Sequence, residues 1–334
     1  MACGDFSETF PNSFEKNWEI VTNYRFVVPH GSLKELNLDT IGIEVLNNKV
    51  SDSKVPVIVT AASANHFEEV QGLIEMLMTR YKGFKLIFYD IGLESNQVSV
   101  IKRHCKCEFR RFPFSKYPEY FRILRNYVWK PLIIQLVLIE YDFVMWMDAS
   151  VRLNGSPLEE LFEEARKTGI KILRGYGLIV KQTHLNTFKA LEEKPCMFQG
   201  QELQTTWIIV SRTNFTLRAI MKPWVSCALQ YGCMAQDNAE RLYRGRSTLT
   251  KISGLWQTIA ANLPQVCSKL AATICCKLAA SSEFVCKLVF WQTNCGNFAA
   301  KCRTVFGLMH LFCGKLAASL QQTCRKLIIM YIHS

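Results

Sequence analysis

Two acidic side chains each follow a short, mostly apolar segment in the first half of the chain. Asp148 comes directly after residues 143–147, and Asp90 comes directly after residues 85–89. Ser150 lies two residues beyond Asp148, and residues two apart in an extended chain point to the same side. A carboxylate and a hydroxyl that face one way are oxygen ligands of the kind that hard divalent cations prefer. The spacing therefore indicates a polar site at the end of the segment 143–147.

Strand-like and helix-like segments alternate over the region that contains these acids. The pattern predicts strands at 55–61, 85–89, 107–112, 143–147, 170–173 and 205–211. It predicts helices at 66–81, 95–103, 131–140, 157–168 (after a capping box at 156–159) and 215–229, the last broken at Pro223. Such alternation predicts an α/β fold with a mostly parallel sheet covered by helices. Ligands of these sheets bind outside the carboxyl ends of the strands, which singles out 60–63, Asp90 and 148–150.

Several common motifs of nucleotide-binding and hydrolytic proteins are missing from the sequence. No Gly-x-Gly-x-x-Gly follows a predicted strand, which argues against a dinucleotide site, and there is no Gly-x-x-x-x-Gly-Lys-Ser/Thr loop. Neither a Gly-x-Ser-x-Gly elbow nor a His-Glu-x-x-His motif is present. The acids at the strand ends therefore remain the main chemical feature.

The segment 143–150, Phe-Val-Met-Trp-Met-Asp-Ala-Ser, resembles the metal-binding Asp-x-Asp motif of GT-A glycosyltransferases, with serine in place of the second aspartate. Four other segments come in the order expected of such enzymes, at 59–67, 88–93, 127–131 and 222–229. Over residues 54–245 the chain resembles a largely uncharacterised animal domain family related to GT-A (nucleotide-diphospho-sugar) glycosyltransferases. The resemblance implies a GT-A-like fold, a mostly parallel sheet flanked by helices.

The resemblance also implies an activity, the transfer of a sugar from a nucleotide diphosphate donor to a glycan or protein acceptor. On this interpretation Asp148 and Ser150 hold Mn²⁺ or Mg²⁺, which neutralises the leaving diphosphate as the sugar bond breaks. The implied contacts to the nucleotide sugar are Thr60, Ser63, Asp90 and Lys130. Glu202 and Asp237 are the candidate acceptor-side carboxylates, either of which could act as a general base.

A second hypothesis is a degenerate, catalytically inactive glycosyltransferase-fold protein that binds a glycan or a partner, or an aberrant gene product. Ser150 favours it because the second carboxylate of the motif is missing. The strand-end acids also have a simpler interpretation, since Asp148 and Asp90 could serve only to form turns. Lys130 could equally be a solvated lysine beside Trp129.

Basic residues and cysteines concentrate in the last 84 residues of the chain. This part has nine lysines and arginines, one acid and eight of the fourteen cysteines, so it carries eight of the twelve net positive charges. Lys-Leu-Ala-Ala recurs at Lys269, Lys277 and Lys315 without the fixed period of a solenoid. The first 250 residues are therefore only mildly basic, and no nucleic-acid partner is expected.

This division predicts three parts. Residues 1–53 form an N-terminal extension, residues 54–247 form the GT-A-like domain, and residues 248–334 form a low-complexity tail. We hypothesise that the tail derives from translated repetitive or unspliced DNA and truncates the domain. A metal or disulfide module and a plain helical extension are the alternatives. Transcript sequencing across codon 247 tests this hypothesis, since one continuous exon would contradict it.

The sequence shows no membrane-spanning segment and no signal pattern. The longest apolar run, 132–147, is interrupted by Glu140 and Asp142. The family resemblance implies the Golgi or secretory lumen, although no signal or anchor is visible in this sequence. Cys227 and Cys233 are spaced to close a small loop on oxidation, whereas Cys105 and Cys107 are too close in sequence to expect a bond between them.

Overall fold

The computed structural model describes residues 13–47, 53–155 and 157–235. Of these, residues 18–47, 53–155 and 157–235 belong to one compact unit, and residues 13–17 belong to a second. Residues on both sides of the predicted domain boundary at residue 54 therefore belong to the first unit. Three predictions lie outside the described residues: Ser156 of the capping box, the carboxylate Asp237 and the tail 248–334.

Strands and helices alternate along the described chain. The strands are β1 (Val57–Ala62), β2 (Leu86–Asp90), β3 (Glu108–Arg111), β4 (Phe143–Met147), β5 (Ile170–Leu178) and β6 (Gln201–Ser211). The helices are α1 (Phe14–Thr22), α2 (Ser32–Glu35), α3 (Thr40–Asn47), α4 (Phe67–Arg80), α5 (Ser95–His104), α6 (Trp129–Glu140), α7 (Glu159–Thr168), α8 (Ile179–Gln182), α9 (Leu185–Ala190), α10 (Asn214–Thr216) and α11 (Lys222–Leu229). A π-helical segment, Leu217–Met221, joins α10 to α11.

The six described strands form one sheet in the order β3-β2-β1-β4-β6-β5. Strands β1 to β4 run parallel to one another, and β6 runs antiparallel to both β4 and β5. Only β6 therefore opposes the common direction. The predicted fold class, an α/β protein with a mostly parallel sheet flanked by helices, is confirmed.

Helices α4 and α7 cover one face of the sheet. Ile58 of β1 and Met145 of β4 belong to the same buried apolar cluster as Leu73 of α4 and Phe162 of α7. Strands β1, β2 and β4 are buried at every position, as expected of strands that are covered on both faces. This burial explains their nearly continuous apolar sequences.

Helix α6 covers the other face of the sheet. Successive strand residues alternate between the two faces of a sheet, so Trp146 points away from the cluster that contains its neighbour Met145. The ring of Trp146 lies 5.9 Å from that of Trp129 in α6. Helix α6 is apolar on almost all sides and nearly every residue is buried, as for a helix enclosed by other elements. No described helix has the length and apolarity needed to cross a membrane.

Residues 32–47 of the N-terminal extension pack against α6. Gln135 of α6 donates a buried hydrogen bond from Nε2 to the carbonyl oxygen of Leu36, at 2.9 Å. Leu38 and Ile43 are buried. Residues 32–47 therefore contact α6 and bury apolar side chains of their own.

The hairpin of β5 and β6 is longer than the sequence pattern predicts. Gly175 and Gly177 look like turn residues, yet both lie within β5. A Cβ atom on Gly175 would lie 2.3 Å from Cγ of Glu202, so glycine is needed where Glu202 packs against the strand. The glycines therefore mark close packing instead of the end of a strand.

The predicted break at Pro223 is wrong, because the chain remains helical through this residue. The π-helical segment leads directly into α11, and Pro223 occupies the first turn of that helix. The missing N–H of a proline costs little at this position, since the first N–H groups of a helix have no partner within it.

Two cysteine pairs are bonded in the described residues. Cys227 and Cys233 form the disulfide that their spacing predicts, with a Cα–Cα distance of 5.2 Å. Cys105 and Cys107 are also bonded, so the expectation for this pair is wrong. The connection from α5 to β3 bends here and shortens their Cα–Cα distance to 5.1 Å, within the usual disulfide range of about 4.4–6.8 Å.

Candidate functional site

A cleft of about 280 Å³ opens at the carboxyl edge of the sheet. The strand order reverses at this place, because β2 and β3 lie on one side of β1 and β4 lies on the other. Open α/β sheets usually bind their ligands at such a reversal. Polar and aromatic side chains line the cleft, among them Ser63, Asn65, His66, Tyr127, Asp148 and Ser150.

Asp148 lies on the floor of the cleft, directly after β4. Its Oδ1 accepts hydrogen bonds from Nζ of Lys130 at 2.5 Å and from Nε1 of Trp146 at 2.7 Å. Its backbone N–H donates to the carbonyl oxygen of Thr206, at 2.7 Å. The carboxylate is therefore fixed in position, and its side chain retains 22% exposure towards the cleft.

Lys130, the second residue of α6, lies beneath this floor and is completely buried. Its ammonium also donates to the carbonyl oxygen of Thr205, at 3.3 Å. The rings of Trp146 and Tyr127 flank it, with centroids 5.2 and 5.4 Å from Nζ. Burial lowers the pKa of Lys130, and the Asp148 carboxylate opposes that shift. Lys130 thus contacts Asp148 and is not among the residues that line the cleft, where its predicted phosphate ligand would bind.

Asp90 serves the turn that follows β2. Its Oδ1 accepts the backbone N–H groups of Gly92 and Leu93, at 2.9 and 2.8 Å. Its Oδ2 accepts Nε–H of Arg111 at 3.1 Å. The carboxylate is buried, and the adjacent Ile91 lines the cleft in its place.

The two hydroxyls predicted to contact the nucleoside occupy different positions. Ser63 lines the cleft and donates from Oγ to Oδ1 of Asn65, at 2.6 Å. Thr60 lies within β1, fully buried, and its Oγ1 has no hydrogen-bond partner among the described residues. The structure thus brings Ser63, but not Thr60, to the surface that a ligand would contact.

Glu202 lies in the part of β6 that projects beyond the cleft edge. Trp207 pairs with Met147 at the end of β4, which puts Glu202 five residues, or roughly 17 Å of strand, further along. Its carboxylate is buried, and Oε1 accepts the backbone N–H of Gly177 at 3.4 Å. Glu202 does not line the described cleft.

Sequence reasoning missed several residues that line the cleft. His66 and Glu69 stand at its rim, with Nδ1 of the histidine 2.8 Å from Oε2 of the glutamate. Tyr127 has a left-handed backbone, with φ of 53°. Burial raises the pKa of its hydroxyl, and the negative charges of Asp148 and Glu69 raise it further. The i,i+3 spacing of His66 and Glu69 was the one available signal, since nothing in the sequence marks the conformation of Tyr127.

A family model described as a protein of unknown function (DUF1647) matches residues 23–135. The match covers less than half of the chain and includes Ser63, Tyr127 and Lys130, but it ends before Asp148. No curated protein matches the chain.

Solved glycosyltransferase structures match part of this chain at low identity. The WbbM bifunctional glycosyltransferase is 12% identical, with a TM-score of 0.36, over 64% of this chain and 38% of that one. Core-mannan synthase A (CmsA/Ktr4) from Aspergillus fumigatus, in a Mn/GDP form, is 9% identical, with a TM-score of 0.39, over 63% and 72% of the two chains. The galactosyltransferase LgtC, in complex with donor and acceptor sugar analogues, is 13% identical, with a TM-score of 0.36, over 59% and 69%.

The extent of these matches is limited. This chain spans 38% of the length of the WbbM protein, well below two thirds. Identities of 9–13% with TM-scores of 0.36–0.39 carry no inference about chemistry.

Proposed function

We propose that this chain is a glycosyltransferase-like protein that binds a nucleotide diphosphate sugar in the cleft and passes the sugar to a glycan or protein acceptor. The observation that supports this most is the position of Asp148, on the floor of a cleft where the strand order reverses. The cleft volume of about 280 Å³ lies near the lower end of the roughly 300–1,000 Å³ of small-molecule sites. Further surface for a sugar would come from the open side of the cleft.

The nucleoside would bind between the loop after β1 and the segment before α6. Tyr127 offers a half-buried ring, braced by Trp129 at a centroid distance of 5.8 Å, on which a base can stack. Ser63 and Asn65 offer hydroxyl and amide groups to the sugar hydroxyls of the nucleoside. These groups surround the cleft with one aromatic and one polar wall.

Asp90 would act on the nucleoside through the loop that it holds. Its carboxylate fixes the N–H groups of Gly92 and Leu93, and a Cβ on Gly92 would lie 3.8 Å from Cβ of Ser63. The turn therefore supports the polar wall at Ser63. Thr60, one layer deeper, would act by packing below the same wall.

The diphosphate would bind between the loop after β4 and the rim of the cleft. Arg125 is exposed and lines the cleft, and a guanidinium suits phosphate oxygens because it can donate two parallel hydrogen bonds. Ser150 presents an exposed hydroxyl beside Asp148. Lys130 contributes its positive charge from beneath the floor.

The acceptor would approach from the projecting hairpin of β5 and β6. We propose Glu202, which belongs to this hairpin, as an acceptor-side carboxylate. Asp237 is the second candidate. As a general base, Glu202 would need to swing out of its contact with Gly177. Because Glu202 is buried, it is better placed to support the hairpin than to transfer a proton directly.

The residues at Asp148 do not fit the divalent cation that the resemblance implies. Oδ1 of Asp148 already accepts from Lys130 and Trp146, and Ser150 supplies no charge. The described residues include no group of three or more His, Cys, Asp or Glu side chains that could hold a metal ion. No step of the proposed transfer is therefore assigned to Mn²⁺ or Mg²⁺.

The bonded cysteine pairs support an oxidising compartment as the location of the protein. Cys105–Cys107 and Cys227–Cys233 require oxidising conditions, which the cytosol does not provide. We therefore retain the secretory lumen, including the Golgi, as the proposed location.

Binding and turnover of nucleotide sugars by the full chain test this function, with Tyr127→Ala as the diagnostic variant. Loss of the ring removes the stacking surface, so the affinity for the bound nucleotide should fall about tenfold. Tyr127→Phe is the matched control, and it should bind like the wild type because it keeps the ring. Calorimetric titration with UDP- and GDP-sugars measures both. Equal affinity of the wild type and Tyr127→Ala would contradict the proposed nucleoside position.

The second candidate is a binding protein without transferase activity. One observation favours it: of the two carboxylates that line the cleft, Asp148 is bound to Lys130 and Glu69 contacts His66. Saturable binding of a nucleotide sugar without hydrolysis or transfer to any acceptor would support this alternative. Release of free nucleotide with turnover would favour the transferase.

A further inference from the structure

We infer that Lys130 takes the place of a divalent cation in this cleft, so that a nucleoside diphosphate binds at Asp148 without metal. The inference rests on the proposed function for the identity of the ligand. It replaces the expectation that Asp148 and Ser150 bind Mn²⁺ or Mg²⁺.

The charges beneath the cleft floor support this inference. A divalent cation with two carboxylates is electrically balanced, and so is one ammonium with one carboxylate. The segment 148–150 has a single carboxylate, because Ser150 stands two residues after Asp148 where a second acid would otherwise lie. The loss of one negative charge and the presence of the Lys130 ammonium therefore together make up for the two positive charges of a divalent cation. A divalent ion added to this pair would experience repulsion from Lys130 across a few ångströms.

The contacts of Asp148 give the second support. Lys130 and Trp146 both donate to Oδ1, at 2.5 and 2.7 Å, so this oxygen is shielded on two sides. A cation that coordinated Oδ1 would have to displace a hydrogen bond donated by Lys130 or Trp146. Both donors are fully buried, so neither could bond to water instead. The carboxylate therefore presents a neutralised surface to the cleft, and a diphosphate can approach without strong repulsion.

The position of Lys130 gives the third support. The ammonium is held by Asp148, by the carbonyl oxygen of Thr205 and by the faces of two aromatic rings, and it is completely buried. The whole binding position is formed by the start of α6, the end of β4 and β6. A side chain enclosed in this way cannot withdraw to make room for a metal ion, and its charge is fixed before any ligand arrives.

A second buried lysine provides the matched control. Lys171 of β5 pairs with Glu164 of α7, and neither residue lines the cleft. If a buried ion pair matters only for folding, replacing either lysine by methionine should have similar effects. If Lys130 is the cation of the site, only its replacement should change how nucleotides and metals bind.

The experiment compares the full-length wild type with Lys130→Met and Lys171→Met, with UDP and GDP as probes. Calorimetric titrations are run in EDTA and in excess Mn²⁺, after circular dichroism has shown that each variant is folded. The wild type and Lys171→Met should bind the same nucleotide with affinities that differ less than about threefold between the two conditions. Lys130→Met should bind about tenfold more weakly in EDTA, and Mn²⁺ should restore its affinity. Wild-type binding that disappears in EDTA would overturn the inference while leaving the proposed function intact.

A titration with Mn²⁺ alone decides the inference even if neither nucleotide binds. Electron paramagnetic resonance reports free Mn²⁺ directly, and the wild type should leave its signal unchanged. One-to-one binding of Mn²⁺ by the wild type that Asp148→Asn abolishes would overturn the inference. Failure of every nucleotide to bind would instead contradict the proposed function, so the two results are separable. If Lys130→Met does not fold, the wild-type arms in EDTA and with Mn²⁺ alone still decide.

Discussion

At the residue scale, the cleft depends on side chains that are held by their neighbours. Asp148 is fixed by Lys130, Trp146 and the backbone of β6. Ser63 is fixed by Asn65, and the turn beside it is fixed by Asp90. Each group is therefore pre-organised, and a ligand would meet it in the position it already occupies.

Gly175 is the residue at which a small change should have a clear effect on the hairpin. In Gly175→Ala the new Cβ would lie 2.3 Å from Cγ of Glu202, so the glutamate must move or the hairpin must open. We expect a loss of stability of about 1–3 kcal/mol, measured by urea unfolding. Nucleotide binding should be unchanged, because Gly175 and Glu202 do not line the cleft.

The double variant Gly175→Ala with Glu202→Ala supplies the control for this prediction. Removing the carboxylate side chain makes room for the new methyl group, so the double variant should be no less stable than Glu202→Ala alone. An equal loss in both backgrounds would show that the clash with Glu202 is not the cause.

At this scale the sequence predicts some residues of the cleft and not others. Asp148 and Ser63 were predicted as site residues, and both line the cleft because strand ends and the small-residue turn after a strand are visible in the sequence. The burial of Lys130 could not be predicted, since it depends on how α6 packs against β4 and β6. The position of Tyr127 depends on a left-handed backbone that no local pattern indicates.

At the scale of elements, segments with clear boundaries and a recognisable period are predicted well, and very short helices are not. The bounds of β4 agree with the prediction, and α4 and α5 agree to within one residue at each end. The short helices α8 and α9 and the cluster formed by Ile179, Phe188 and Phe198 were not predicted. Their segments are too short for periodicity to be recognised, so only tertiary packing defines them.

The contact between the N-terminal segment and the loop after α9 provides a pH-dependent prediction. The hydroxyl of Tyr24 donates to Oε1 of Glu193 at 2.7 Å, across 169 residues of sequence. Burial raises the pKa of Glu193, and the hydrogen bond from Tyr24 opposes this in part. A raised pKa means that the folded state holds the proton more tightly than the unfolded state. This contribution to stability is therefore complete below the unfolded pKa and is lost as the pH rises through the folded one.

Glu193→Gln isolates this effect. The amide does not titrate, so we expect the difference in stability between the variant and the wild type to shift in favour of the variant as the pH rises from about 4 to about 7. Urea midpoints at several pH values measure it. A difference that is constant over this range would show that Glu193 titrates alike in the folded and unfolded chains.

At the scale of the whole molecule, the order of the strands in the sheet creates the cleft. The reversal at β1 brings the loops after β1, β2 and β4 together, and α6 closes the site from below with Lys130 and Trp129. The class of the fold follows from the alternation of strands and helices in the sequence. The antiparallel direction of β6 does not, because direction depends on the path of the connection between β5 and β6.

Residues 32–47 of the N-terminal segment belong to the same compact unit as the sheet. Residues 32–47 bury Leu38 and Ile43 and contact α6 through Leu36 and Gln135. The family model also begins before residue 54, at residue 23. A fragment that starts at residue 54 would lose the contact of Leu36 with Gln135, so the full chain is the suitable protein for binding experiments.

Hydrogen–deuterium exchange of the full chain with and without a nucleotide sugar tests the central claim most directly. The panel would contain UDP- and GDP-sugars, each with and without Mn²⁺. We predict that one donor lowers exchange at three separate stretches that line the cleft, 61–66, 124–129 and 148–151, and leaves the β5–β6 hairpin unchanged. No change with any donor, or protection confined to residues away from these stretches, would contradict a nucleotide-sugar site in this cleft.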